Sequence, residues 1–167
     1  ELLESRAERL ASLAAGKDKF TARAAVNALA VLGTSCKGAR DAIAGAASEL
    51  ERHALGEGRE AAKDAVVALS TLGGKVAVES LERVCAAAVE EMSTGKGAVL
   101  PGGARLPSLL QAVACAAQRC SEAYAPHEGA FARFLVQRVL SCPCGEEGDP
   151  DTVEECLAAS RAEGEDE

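Results

Sequence analysis

Ala25-Val26-Asn27-Ala28-Leu29-Ala30-Val31-Leu32-Gly33 returns forty residues later as Ala65-Val66-Val67-Ala68-Leu69-Ser70-Thr71-Leu72-Gly73. Six of the nine positions are identical, the closing Gly among them. A looser third copy, Ala112-Val113-Ala114-Cys115-Ala116, starts 47 residues after the second. Periods of about 40–47 residues mark repeats of two or three helices. Such a unit has an apolar face that it cannot bury alone. It stacks on its neighbours, and the stack offers a long surface to other proteins.

The composition agrees with helices on helices. Hydrophobic residues make up 48% of the 167 residues, but aromatics only 2%, with no Trp. A core of Ala, Leu and Val lets helices approach closely. The shortage of aromatic residues argues against a β-sandwich or barrel. It also argues against the stacking platforms that hold single-stranded nucleic acid.

Charge is unevenly placed. Of 26 acidic and 18 basic residues, ten acidic and one basic (Arg161) fall between Glu146 and Glu167. That leaves 16 acidic and 17 basic residues in the body, a net charge of +1. Phosphate binding wants a clustered basic stripe, so direct nucleic-acid binding is not expected.

The chain opens on Glu and reads as a piece of a longer protein. It carries no signal-peptide pattern and no apolar run near 18 residues, so no membrane partner is expected. Seven Cys, an odd number set mostly in helical patterns, suit a reduced intracellular compartment better than a disulfide framework.

Period, breakers and caps predict the helices. The first spans Leu2 to Ala15, with Leu3, Ala7, Leu10 and Leu13 or Ala14 along one stripe, and Gly16 stops it. Thr21 is the expected N-cap of the second, which runs to Leu32 with Gly33 as its left-handed stop. The third spans Ala39 to Leu55, carrying Ile43, Ala47, Leu50 and Ala54. The fourth runs from Glu60 to Leu72 and ends at Gly73-Gly74. The fifth runs from Val76 to Met92, with Val78, Leu81, Cys85 and Val89 facing inward. Thr94 to Arg105, rich in Gly, reads as a loop.

Pro107 suits the first turn of a sixth helix reaching Tyr124. Pro126 to Gly129 reads as a turn. Ala130 to Leu140 is a seventh helix with Phe131, Phe134, Leu135 and Val139 for the core, closed by Cys142-Pro143-Cys144-Gly145. Thr152 to Ala162 is a short eighth helix in acidic surroundings that favour fraying. The expected fold is all-α: a solenoid of about three HEAT-like helical hairpins plus a leading half-repeat. The repeats fall at about 21–55, 60–92 and 106–141 within a segment of residues 1–145. Residues 146–167 form an acidic, flexible tail. Leu29 and Leu69 are expected at equivalent buried positions.

No enzyme signature is present. Phosphate-binding glycine loops are missing, and the glycines punctuate helix ends instead. Cys142-Pro143-Cys144, with Cys156, Cys120 or His127, is the candidate metal site. Its one-residue spacing departs from the two to four residues usual for zinc, and a plain helix terminus competes with it. Cys85, Cys115 and Cys120 lie on helical stripes and read as small hydrophobes. His53, in the last turn of its helix, suits the helix dipole.

Glu79, Glu82, Glu90 and Glu91 read as solvated helix flanks, with Glu79 set to pair with Arg83 at i+4. Lys17, Lys19 and Arg23 cluster at the start of the second helix, as a solvated turn or a contact for nucleic acid or an acidic partner. No residue is assigned a catalytic, cofactor-binding or metal-binding role, and no cofactor is implied.

Ala22-Arg23-Ala24-Ala25-Val26-Asn27-Ala28-Leu29-Ala30-Val31 resembles a segment of the "precocious dissociation of sisters" family of HEAT-repeat cohesion regulators. That segment reads roughly Ala-Lys-x-Ala-Val-x-Ala-Leu-Ala/x-Ile after a basic turn. Lys17, Asp18 and Lys19 stand in the turn here, and Val67 to Gly73 looks like the family's next helix. The resemblance runs from Gly16 to Met92. The Gly-rich stretch from Thr94 and the acidic end depart from it.

The resemblance implies a nuclear, non-catalytic protein that binds the cohesin ring and tunes its release from chromatin. The function expected is a protein-binding scaffold in sister chromatid cohesion, with partners, cohesin subunits among them, held along the helical ridge. The alternatives are another HEAT or armadillo adaptor of transport or trafficking, cytoplasmic in that case, and a metal protein built on Cys142 and Cys144. Import-type grooves use Trp and Asn, and this chain has no Trp and only Asn27.

Overall fold

The computed structural model describes residues 2–93 and 105–140. Among them every regular element is helical. The chain divides into two compact units, residues 1–129 and 130–167.

In the first unit, α1 (Leu2–Ala14) is followed by α2 (Lys19–Ser35), α3 (Arg40–Gly45) and α4 (Ala47–Ala54). Then come α5 (Arg59–Ser70), α6 (Gly74–Ser93), α7 (Leu106–Arg119) and α8 (Ser121–Tyr124). Helices α2, α5 and α7 pack side by side as one layer. In the other layer α1 packs on α3, α4 on α6, and α6 on α8. The layers meet through α1 on α2, α4 on α5, and α6 on both α5 and α7. This is an all-α solenoid.

The layers are held by small aliphatic side chains. Ala25, Val26, Leu29 and Ala30 of α2 are buried, as are Ala65, Val66, Ala68 and Leu69 of α5. Leu29 and Leu69 are both fully buried, on helices that touch. Ile43, Leu50, Leu81, Val84, Cys85 and Val113 complete the interior at 0% exposure. In α1 the stripe holds Ala7 and Ala14, while Leu13 is left 39% exposed.

Several boundaries differ from expectation, each for a local reason. Asp18, not Thr21, caps α2. Its carboxylate accepts from the Thr21 backbone N–H at 3.0 Å and from the Thr21 hydroxyl. These bonds hold the Asp18 carboxyl below the usual carboxylate range, the hydroxyl contributing most. Gly33 does not end α2, which continues to Ser35. A Cβ at Gly33 would come within 2.7 Å of Ile43 Cδ1 and closer still to Thr71 Oγ1. Glycine is there so that α2 can lie against α3 and the end of α5. Its echo Gly73, at φ +70°, does turn the chain out of a helix.

The single helix expected over Ala39 to Leu55 is broken. A 3-10 turn, Lys37–Ala39, leads into α3, and Ala46 separates α3 from α4 at φ −97°, ψ 5°. The Ala46 N–H is shared between the Ala42 and Ile43 carbonyls, 3.1 Å each. Gly45 weakens the helix where the break falls. The inward face survives it, through Ile43, Ala46, Leu50 and Ala54.

The sixth expected helix also breaks. Cys120, extended at φ −151°, ψ 80°, separates α7 from α8. The expected turn at Pro126 to Gly129 is instead a 3-10 turn, Ala125–His127, running into α9 (Glu128–Leu140). Proline's fixed φ suits that entry. Over 130–137 only Phe134 is buried, while Phe131 is half-buried and Leu135 is 40% exposed. The loop residues Thr94 to Ala104, the Val139 side chain, Cys142 to Gly145, the helix at Thr152 to Ala162 and the tail 146–167 lie outside the described residues.

Candidate interaction surface

The turn between α4 and α5, Leu55 to Gly58, is where consecutive hairpins are fastened. Arg23 Nη2, from α2, donates to the Glu57 carbonyl at 2.9 Å. Arg105 Nη2, just before α7, donates to the Leu55 carbonyl at 2.8 Å. Its Nη1 lies 3.1 Å from Glu91 Oε1 of α6. The Gly58 N–H donates to Ser108 Oγ of α7 at 2.9 Å, and Ser108 is fully buried. Gly58 has φ +110°, and a Cβ there would strike the Arg23 guanidinium. One short turn is thus gripped from both neighbouring helices of its layer.

Replacing Ser108 with Ala should strand the Gly58 N–H and cost about 1–3 kcal/mol in urea unfolding. A loss below about 0.5 kcal/mol would mean that solvent replaces the hydroxyl there.

Other fasteners cross the stack. Asn27 Nδ2 donates to Asp64 Oδ2 at 2.9 Å, joining α2 to α5. His53 Nε2 donates to the Ala14 carbonyl at 3.0 Å, so His53 ties α4 to the end of α1. Arg83 does not pair with Glu79 as expected. It reaches across to Glu51 of α4 at 2.7 Å and donates to Ser80 Oγ at 3.1 Å. The bond to Glu51 raises the Arg83 pKa. Glu79 meets Lys75 instead, at 3.4 Å. Arginine's length lets it choose an inter-helix carboxylate over one on its own helix, which local spacing could not reveal.

The candidates for chemistry are scattered. Cys85 is fully buried, and burial pushes its thiol up to about 11. Burial also raises the Cys115 thiol. Neither is a ready thiolate at neutral pH. Cys120 is half-buried between α7 and α8, and His127 is half-buried in the 3-10 turn. Among the described residues no group of three or more His, Cys, Asp or Glu could hold a metal ion. Cys142, Cys144 and Cys156 lie outside them.

Apolar and basic side chains are exposed on and beside α2. Phe20 is 83% exposed and Val31 57%, on the same flank of α2 as Asn27. Lys17 and Lys19 are exposed. Arg59, Leu106, Pro107, Leu110 and Ala114 line a groove of about 370 Å³ between α5 and α7. The sequence reading missed Asp64, Arg105 and Ser108, because their hydrogen-bond partners lie 37 to 50 residues away.

The family described as sister chromatid cohesion protein PDS5 matches residues 1–163. The chain belongs to this family. The matched stretch is longer than the Gly16 to Met92 resemblance. It takes in the Gly-rich segment and most of the acidic end, so neither sets the chain apart from the family. No curated protein and no solved structure gives a match. As a PDS5-family chain it is a sister chromatid cohesion protein of a cohesin-associated, chromosomal family. No described helix is long and apolar enough to cross a membrane.

Proposed function

We propose that this chain is a non-catalytic scaffold segment of a nuclear cohesion regulator, and that it binds cohesin subunits along its helical ridge. The family match over residues 1–163 carries the reading. The fold is suited to it. Polar side chains such as Arg23, Asn27, Arg83 and Arg105 are spent on fastening one helix to the next. Apolar and basic groups such as Phe20 and Lys19 are left at the surface. In this reading the repeats fall at 21–55, 60–92 and 106–141, and 146–167 is an acidic appendage.

A pull-down of cohesin subunits by the 167-residue chain tests the proposal. Retention of a cohesin subunit above a charge-matched control is expected. Absence of any cohesin subunit would overturn the partner assignment.

A further inference from the structure

We infer that the edge formed by the starts of α2, α5 and α7 docks an acidic polypeptide segment that carries an apolar anchor. This rests on the protein-binding reading above and deepens it. The starts of these helices converge on the Leu55 to Gly58 turn, through Arg23 from one side and Arg105 and Ser108 from the other. Along that edge Lys17, Lys19 and Arg59 are exposed and form no ion pair or hydrogen bond among the described residues. Arg23 is bonded only to a neutral carbonyl, so its charge is not cancelled. Carboxylates are fewer: Asp18 is turned into the start of α2, Glu57 is exposed, and Glu60 pairs with Lys63 at 3.5 Å.

Two hollows lie along the edge. A cleft of about 170 Å³ is bordered by Lys19, Arg23, Arg52 and Glu57. The apolar groove of about 370 Å³ beside Arg59 is floored by Leu106, Pro107 and Leu110. Cations beside an apolar groove complement separated carboxylates flanking an aliphatic side chain. They do not complement a phosphate backbone, whose even charge would meet Asp18 and Glu57 and would leave the groove unused.

Fluorescence anisotropy with the 167-residue chain tests this. The probe is a short fluorescein-labelled peptide of Glu and Asp around a central Leu. It contains no cohesin sequence, so its result is independent of the cohesin pull-down. The probe should bind. Its affinity should fall as salt rises from about 0.01 to 0.1 M and the screening length shrinks from about 30 to 10 Å.

Lys17→Ser with Lys19→Ser and Arg59→Ser should weaken it about tenfold at unchanged Tm. Lys37→Ser with Arg40→Ser, beyond the far end of α2, should not. Exchanging the probe's acids for Gln and Asn, or its Leu for Ser, should weaken it as well. Three results would overturn the inference: equal binding of the neutral probe, equal loss in both sets of variants, or tighter binding of a labelled single-stranded oligonucleotide.

Discussion

Leu29→Ala and Leu69→Ala each lower the unfolding free energy by about 2–5 kcal/mol. Both side chains are fully buried at corresponding points of touching helices. Truncation removes apolar contact and leaves a cavity in the buried cluster that Leu29 and Leu69 share with Ala25, Val26, Ala65 and Val66. Folded domains hold only about 5–15 kcal/mol in all, so either change brings the chain close to unfolding. Val31→Ala is the control. Val31 sits in the same helix but is 57% exposed, and its loss should stay within about 0.5 kcal/mol. Urea unfolding followed by far-UV circular dichroism reads all three. Equal losses at 29 and 31 would mean that α2 is rotated from the orientation described.

Gly33→Val is the second large effect. Two terms oppose each other at this site. A side chain in place of Gly inside a helix gains up to about 1 kcal/mol in propensity. Overpacking against Ile43 and Thr71 costs about 1–3 kcal/mol. The Cβ alone overlaps both neighbours, and Val adds two further methyl groups, so overpacking at the upper end of its range wins and a net loss of about 1–2 kcal/mol is expected. Thr71→Ala should recover part of that loss, because it removes one of the overlapping atoms. If Gly33 were needed for a left-handed stop, Thr71→Ala would rescue nothing. Thermal unfolding of the two single variants and the double variant separates these cases.

The two glycines show where the sequence was legible and where it was not. The echo reports burial well. Of its identical positions, 25, 26 and 29 and their copies are buried, while Asn27 and Val31, two that differ from their copies, are exposed. Period and identity therefore revealed the all-helical repeat and the burial of Leu29 and Leu69. The closing Gly has one appearance and two roles: close approach at 33, a positive φ at 73. Only tertiary contact tells them apart.

The breaks at Ala46 and Cys120 were hidden for a related reason. The apolar stripe crosses both of them, and the local signals, Gly45 in particular, are weak. The surface was the least legible part. Asn27–Asp64, Arg83–Glu51 and Gly58–Ser108 join residues 32 to 50 apart, a separation over which no spacing rule operates. The clustering of Lys17, Lys19 and Arg23 was readable, but that Arg23 would be taken up by the Glu57 carbonyl was not.

The stacking of the two echoing helices is the claim from which the rest follows, and a zero-length cross-link tests it most directly. Asn27 and Asp64 face each other across α2 and α5, with Nδ2 and Oδ2 2.9 Å apart. Asn27→Lys places an amine beside that carboxylate, and a carbodiimide will join the two if the helices are stacked in this register. Peptide mapping by mass spectrometry should find the introduced amine linked to Asp64. An amine at that position joined only to carboxylates elsewhere, in a chain that remains folded, would contradict the stack.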